Sequence, residues 1–130
     1  MTTGKHAVII EDNTLNSYVL QLMLNLHHIS SSVVASPLLL DEVLQELHTP
    51  VDIIFLDLEL PVKSGFELLT ELRANPSLQQ VPIVAYSVHT SELHAAREAG
   101  FHSFLGKPLN VRNFPHQLNR ILKGQPVWEV

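Results

Sequence analysis

The sequence predicts an α/β fold, a doubly wound domain in which helices cover both faces of a five-stranded parallel sheet. Five short apolar runs, several of them rich in β-branched residues, alternate with five segments of helical periodicity. The connections between them are short, and 130 residues is a usual length for one compact domain. Strict alternation of strand and helix is typical of parallel sheets with crossover helices.

The predicted strands are four to seven residues long and mostly apolar, as expected for strands buried on both faces. Four of them are followed by a polar residue or a glycine, and the third ends on a polar residue, Asp57. They are Ala7–Ile10, Ser32–Ala35, Val51–Asp57, Val81–Tyr86 and Phe101–Leu105.

The helices are predicted from capping residues and from apolar residues at helical spacing. Asn13 or Thr14 begins the first helix, Ser36 with Pro37 the second, and Ser64 the third. The predicted inward residues of these three are Leu15, Val19, Leu22, Met23 and Leu26; Leu40, Val43, Leu44 and Leu47; and Phe66, Leu69 and Leu72.

The last two helices are predicted over residues 92–99 and 110–123. Gly100 suits the C′ position of the fourth. Pro115 stands late for a first turn, so a distorted or kinked start of the fifth helix is expected. Their predicted inward residues are Leu93, Ala96 and Ala99, then Val111, Phe114, Leu118, Ile121 and Leu122.

Composition limits the kinds of partner. The chain has no cysteine, which excludes disulfides, thiolate metal sites and cysteine nucleophiles. Its net charge of −5 argues against nucleic acid as a main partner, and no apolar stretch is long enough for a signal peptide or a membrane span. We therefore expect a cytoplasmic protein with one domain over residues 1–124. Residues 125–130 would form a tail, either packed back through Trp128 or the stub of a linker.

Charged and polar side chains follow four of the predicted strands. Glu11 and Asp12 follow the first, Asp57 ends the third, Ser87 follows the fourth and Lys107 the fifth. Carboxyl ends of parallel strands lie at one edge of the sheet, where open α/β folds place their ligands. Three carboxylates, a hydroxyl and an ammonium group are therefore expected to converge.

Such a cluster predicts a particular chemistry. Three adjacent carboxylates repel one another unless a cation lies between them. Oxygen ligands select a hard metal such as Mg²⁺ rather than zinc. A phosphoryl group at this edge would meet the metal, the Lys107 ammonium and the Ser87 hydroxyl, so Asp57 is interpreted as a carboxylate nucleophile that forms an aspartyl phosphate.

This pattern resembles response-regulator receiver domains over nearly the full chain. The residues that carry the resemblance are Glu11-Asp12, the run Asp57-Leu58-Glu59-Leu60-Pro61 with Gly65, then Ser87, and Lys107-Pro108. The resemblance implies a flavodoxin-like fold with strand order 2-1-3-4-5. It also implies phosphorylation of Asp57 by a histidine kinase or a histidine phosphotransfer domain, with Mg²⁺ or Mn²⁺ as cofactor.

The resemblance further implies a role for each residue of the cluster. The metal would be held by Glu11, Asp12, Asp57 and the backbone carbonyl of Glu59. Lys107 would pair with the phosphoryl group, and its peptide bond to the following proline would be cis. Such a protein is a signalling phosphoacceptor, and it catalyses only its own phosphorylation and dephosphorylation.

The switch that the resemblance implies involves Ser87 and Phe104. Ser87 would move to bind a phosphoryl oxygen, and Phe104 would rotate inward with it. The output surface would be the face formed by the fourth helix, the fifth strand and the fifth helix, with a protein as the downstream target. Phe104 stands where tyrosine is common in the family, so its buried state needs no hydrogen-bond partner.

Three residues at the rim of the site affect how the phosphoryl group would be handled. Val88 stands where the family usually has a small residue, so it narrows access, and Glu59 and His89 flank the cleft. The Glu59 carboxylate would repel incoming phosphodonors and would orient or exclude the hydrolytic water. The lifetime of the phosphorylated form is therefore left open.

Rival classes fit the sequence less well. A flavodoxin needs a hydroxyl- or glycine-rich phosphate loop after the first strand, where this chain has two acids. A haloacid-dehalogenase-type phosphatase needs a second aspartate two residues after its nucleophile, where this chain has Glu59. The remaining alternative is a receiver-like binding module that works without phosphorylation.

Overall fold

The computed structural model of the chain describes residues 4–130 and contains six strands. They are β1 His6–Ile10, β2 Ser30–Val34, β3 Ile53–Asp57, β4 Ile83–Ser87, β5 Ser103–Gly106 and β6 Trp128–Glu129. All are parallel, in the order β2-β1-β3-β4-β5-β6. The predicted order of the first five strands, and the predicted doubly wound α/β class, are confirmed.

Five α-helices and three short 3₁₀ segments connect the strands. The helices are α1 Thr14–Asn25, α2 Leu40–Glu46, α3 Gly65–Arg73, α4 Leu93–Ala99 and α5 Phe114–Leu122. The 3₁₀ segments Pro37–Leu39 and Thr90–Glu92 lead into α2 and α4, and Pro76–Leu78 follows α3. The predicted caps are confirmed at Asn13 and Ser64, whose side chains accept from nearby backbone N–H groups. Ser36 caps the 3₁₀ segment that precedes α2, whereas α2 itself begins at Leu40 without a side-chain cap.

The sheet divides the core into two apolar layers. Helices α1 and α5 pack on one face and α2, α3 and α4 on the other, and both faces of β1, β3 and β4 are buried. This arrangement follows from the continuous apolar runs of the inner strands, because alternating residues along a strand point to opposite faces. Burial on both faces fixes the register, and so fixes where each strand ends.

The predicted inward face of α1 is wrong. Leu15, Val19, Leu22 and Leu26 are exposed, whereas Ser17, Leu20 and Leu24 face the sheet with Met23. Leucines occur on both sides of this helix, so two stripes have helical spacing. Because the buried stripe contains the polar Ser17, the hydrophobic pattern of the sequence does not indicate it. The Ser17 hydroxyl can be buried because it donates a hydrogen bond to the carbonyl of Thr14.

The start of α5 also differs from the prediction. The helix begins at Phe114 rather than Asn110, and Val111 is exposed instead of inward. The Asn110 side chain accepts from the backbone N–H groups of Arg112 and Asn113, closing a turn ahead of the helix. Pro115 then lies in the first helical turn, where a missing N–H costs nothing, so the start is displaced rather than kinked.

Trp128 and Glu129 extend the sheet beyond the five predicted strands. After a turn at Gly124, Val127 is fully buried and Trp128 and Glu129 pair in parallel with Phe104 and Leu105. Of the two alternatives for this tail, packing back against the domain is the one that the structure shows.

The side chain of His6, the first residue of β1, contacts two serines of the neighbouring strand β2. Its ring nitrogens Nδ1 and Nε2 lie 2.7 Å and 2.8 Å from the hydroxyl oxygens of Ser30 and Ser32. Burial lowers the pKa of the imidazole, although Asp52 nearby raises it to a smaller extent. No helix among residues 4–130 is long and apolar enough to cross a membrane.

The lowered pKa of His6 predicts an acid-sensitive contribution to stability. Between its folded pKa and the ordinary value of 6.5, the unfolded chain binds more protons, so stability falls as the pH falls below 6.5. We expect His6→Gln to reduce the loss of unfolding free energy between pH about 7.5 and about 5.5, measured by urea titration.

Burial also lowers the pKa of His102, so part of the pH dependence of stability should remain in the His6→Gln variant. The matched control is His94→Gln on the exposed surface of α4, which should keep the pH dependence of the parent chain. If the unfolding free energy of His6→Gln fell with pH as steeply as that of the parent, His6 would not be a source of the acid sensitivity.

Candidate functional site

Three carboxylates meet at the carboxyl edge of the sheet, as the strand-end pattern predicts. Glu11, Asp12 and Asp57 each offer an oxygen, and these oxygens lie within 4.8 Å of one another. Glu11 and Asp57 are buried, with 1% and 3% exposure, whereas Asp12 is exposed. The exposed member leaves the cluster open on one side.

Lys107 lies between the two buried carboxylates. Its Nζ is 2.8 Å from Oε1 of Glu11 and 3.3 Å from Oδ1 of Asp57. Burial raises the pKa of Glu11, and the neighbouring Asp57 adds to the rise, while Lys107 opposes it. The ammonium group therefore supplies the positive charge that allows two carboxylates to be buried side by side.

Loop geometry holds these groups in place. The backbone N–H of Glu59 donates to Oδ1 of Asp57 at 3.0 Å, and the backbone N–H of Lys107 donates to the carbonyl of Ser87 at 2.8 Å. The peptide bond between Lys107 and Pro108 is cis, as expected. At the start of α3, a Cβ on Gly65 would lie 2.6 Å from the backbone oxygen of Asp57, so only glycine fits without movement.

Ser87 lies at this edge, but its hydroxyl is bound to other groups than Asp57. Its Oγ is 2.9 Å from both carboxylate oxygens of Glu59 and 3.1 Å from Oε1 of Glu92, and it accepts from the backbone N–H of His89. The Glu59 residue is exposed overall, but its carboxyl group is partly buried, and this burial raises the pKa of Glu59. The neighbouring Glu92 carboxyl raises it further. Two acids thus compete for one hydroxyl proton.

The remaining predicted residues lie around this centre. Phe104 is completely buried in β5, in the core layer that α2, α3 and α4 cover. Val88 is 56% exposed, and His89 enters the site through its backbone N–H.

Two neighbours of the site are not predicted by the strand-end pattern. One is Glu92, which precedes α4; the signal for it is a carboxylate five residues after Ser87, across a 3₁₀ turn. Tyr86 was assigned to a strand, but its ring lies 4.2 Å from the Nζ of Lys107, a distance suited to a cation–π interaction. Burial and the two nearby carboxylates raise the pKa of Tyr86 strongly, so its hydroxyl stays protonated.

The family is established by comparison of the whole domain. The family described as "Response regulator receiver domain" matches residues 7–119. The chain belongs to this family, whose members receive phosphoryl groups in two-component and phosphorelay signalling.

Individual relatives agree with this assignment. The chain is 32% identical over 114 residues to "Stress response regulator protein 1" of Meyerozyma guilliermondii, an alignment that covers 79% of the chain and 49% of that protein. It is 25% identical over 121 residues to a two-component response regulator of Oryza sativa, covering 92% and 99%. The chain thus spans about half the length of the first of these relatives.

A solved structure provides a further comparison. The receiver domain of a sensor histidine kinase from Pseudomonas aeruginosa superposes with a TM-score of 0.78 and 27% identity, covering 93% of the chain and 99% of that domain. Its title describes a magnesium ion coordinated in the active site cleft.

The contact at Gly65 leads to a testable prediction about the loop. We expect Gly65→Ala to destabilise the fold by about 1–3 kcal/mol, because the added methyl group meets backbone that cannot move freely. The displaced atom belongs to Asp57, so phosphorylation of the variant should also slow. Urea unfolding and a phosphorylation time course measure the two effects.

Gly124→Ala is the matched control. This glycine has a positive φ of 88° but nothing within 4 Å of the added Cβ, so the change strains the backbone far from Asp57. It should lower stability without slowing phosphorylation. Normal phosphorylation of a folded Gly65→Ala protein would show that the contact does not position Asp57.

Proposed function

We propose that this chain is a phosphoacceptor receiver in which Asp57 takes a phosphoryl group from a phosphohistidine donor. The observation that carries the proposal is the buried pair of Glu11 and Asp57 with the Lys107 ammonium 2.8 Å and 3.3 Å from their oxygens. The donor would be a histidine kinase or a histidine phosphotransfer domain, as for the two-component relatives.

The acid cluster fits a hard divalent cation. All of its side-chain donors are carboxylate oxygens, and the exposed Asp12 leaves a path for entry. Mg²⁺ or Mn²⁺ would be held by Glu11, Asp12, Asp57 and the backbone carbonyl of Glu59, in keeping with the magnesium described for the Pseudomonas aeruginosa domain. When bound, the ion supplies positive charge to the oxygens of the transferring phosphoryl group.

The transfer would use one carboxylate oxygen of Asp57 as nucleophile. The oxygen forms a bond to phosphorus while the bond from phosphorus to the donor imidazole nitrogen breaks, and that nitrogen keeps the electron pair. Lys107, already 3.3 Å from Asp57, is placed to pair with a phosphoryl oxygen. The protein is thus a signalling acceptor, and the only reactions it would promote are its own phosphorylation and dephosphorylation.

The output would be a change in protein binding. A phosphoryl group on Asp57 would attract the Ser87 hydroxyl away from Glu59 and Glu92, and the loop before α4 would follow. Phe104 lies on β5, next to the strand that ends at Ser87, and is already fully buried, so it would repack within the core and not rotate inward from the surface. The surface of α4, β5 and α5 is therefore the proposed contact for a downstream protein.

Two observations favour a second candidate, a binding module that works without phosphorylation. The Ser87 hydroxyl is already engaged by two carboxylates, and the residue that follows it is the bulky Val88. Both features oppose arrival of a phosphoryl group.

Phosphorylation by a small donor distinguishes the two candidates. With Mg²⁺ and acetyl phosphate, we expect intact mass spectrometry to show a gain of one phosphoryl group, lost in Asp57→Asn. Asp41→Asn, on the exposed surface of α2, is the matched control and should still gain it. No gain in the folded parent chain would favour the phosphorylation-independent module.

The position of Glu59 predicts a kinetic effect. Removing its charge in Glu59→Asn should speed phosphorylation by an anionic donor about fivefold, because a carboxylate near the surface repels such a donor by roughly 1 kcal/mol. The lifetime of the phosphorylated form should also change. Time courses of both reactions, followed by intact mass, provide the measurement.

Glu98→Gln is the control for loss of one negative charge, since Glu98 is 73% exposed on α4. It should leave both rates near those of the parent. Equal rates in Glu59→Asn and the parent would remove the assigned role of Glu59.

A further inference from the structure

The outer edge of β5 is covered by the chain's own C-terminal residues. The backbone N–H of Phe104 donates to the carbonyl of Val127 at 2.8 Å, and the backbone N–H of Val127 donates to the Ser103 hydroxyl at 2.9 Å. Trp128 and Glu129 lie in register with Phe104 and Leu105. Residues 126–130, called here the tail strand, therefore bind β5 mainly as extended backbone.

Side chains of the tail strand enter sites on both sides of β5. Val127 is fully buried in the layer beneath α1 and α5. Trp128 packs against the opposite layer, with the guanidinium carbon of Arg97 5.2 Å from its ring centroid. The edge thus has one enclosed aliphatic position and one aromatic position beside a cation.

Positive groups line the far end of this edge. The Glu129 carboxylate accepts from Gln117 Nε2 at 2.7 Å and from Arg120 Nη1 at 3.2 Å. Arg97 and Arg120 therefore flank the tail strand, although the chain as a whole carries a net charge of −5. The local charge suits an acidic extended segment.

The tail strand has a shorter ladder than the inner strands, and some of its contacts are exposed. Its ladder has two residues against the four of β5, its ion pair with Arg120 is partly exposed, and Val130 is 76% exposed. Gly106 has no side chain, which allows the backbone of Val130 to pass 3.1 Å from where a Cβ would lie. Short edge strands with exposed contacts open at low free-energy cost.

We infer that the outer edge of β5 is a docking site for an extended segment of a partner protein, which the tail strand occupies in the free chain. The partner segment would add a parallel strand carrying an aliphatic residue, then an aromatic, then an acid. Strand addition of this kind takes affinity from the backbone and specificity from alternate side chains. This inference deepens the proposed function and rests on it, because the outer edge of β5 belongs to the surface of α4, β5 and α5 proposed above as the output contact. It does not depend on phosphorylation of Asp57, so peptide binding and phosphorylation can fail independently.

The test uses the full chain and a labelled hexapeptide with the sequence of residues 125–130. Val127→Asp should expel the tail strand, because a carboxylate cannot occupy the buried position, and the peptide should then bind. Val130→Asp introduces the same charge at an exposed position of the same segment and is the matched control.

We expect fluorescence anisotropy to show saturable binding to unphosphorylated Val127→Asp. The parent and Val130→Asp should bind the peptide at least about tenfold more weakly. In these two proteins the tail strand occupies the edge of β5, so only a small fraction of the molecules can bind the peptide. Failure of the peptide to bind a Val127→Asp protein with the circular dichroism of the parent would overturn the inference.

Hydrogen exchange of the parent chain supplies a second test if Val127→Asp does not fold. The amide of Phe104 should exchange at least about tenfold faster than that of Ile54, which donates within the sheet to Pro82, because tail release is a local opening. Equal rates for the two amides would overturn the inference. A concentration-dependent dimer that keeps the Phe104 amide protected would assign the edge to a second copy, and would also overturn it.

Discussion

The buried ammonium group of Lys107 is the interaction on which the site depends. Without it, Glu11 and Asp57 would be two adjacent carboxylates with almost no contact with water, an arrangement that strongly favours protonation of one of them. Lys107, which follows β5, therefore allows Asp57 of β3 and Glu11, which follows β1, to lie side by side as carboxylates. Removal of one partner from a buried ion pair typically costs about 3–5 kcal/mol.

The convergence of these residues could be predicted because it depends on topology alone. In a doubly wound parallel sheet, every strand that is buried on both faces ends at the same edge, and the residue types at those ends were readable. The convergence needed no knowledge of side-chain conformation, so the identity of the acid cluster followed from the sequence. The strand order, in contrast, was implied by the resemblance to receiver domains and not by the residues at the strand ends.

The errors concern features that depend on side-chain packing. The first helix has leucines on two sides, and only the packing of Ser17 against the sheet selects which side is buried. The tail was ambiguous because Val127 and Trp128 are too few residues to define a strand by periodicity. The contact of Ser87 with Glu92 depends on the path of a 3₁₀ turn, which no spacing rule specifies.

The single proton of the Ser87 hydroxyl has a consequence for reversibility. Any new acceptor for this hydroxyl replaces Glu59 or Glu92, so its free-energy gain is the difference between two hydrogen bonds to anions and not the full strength of one. If this difference is small, the arrangement with Ser87 bound to Glu59 and Glu92 and the arrangement with Ser87 bound to the new acceptor have similar populations. Loss of the new acceptor would then return the Ser87 hydroxyl to Glu59 and Glu92, which suits a transient signal.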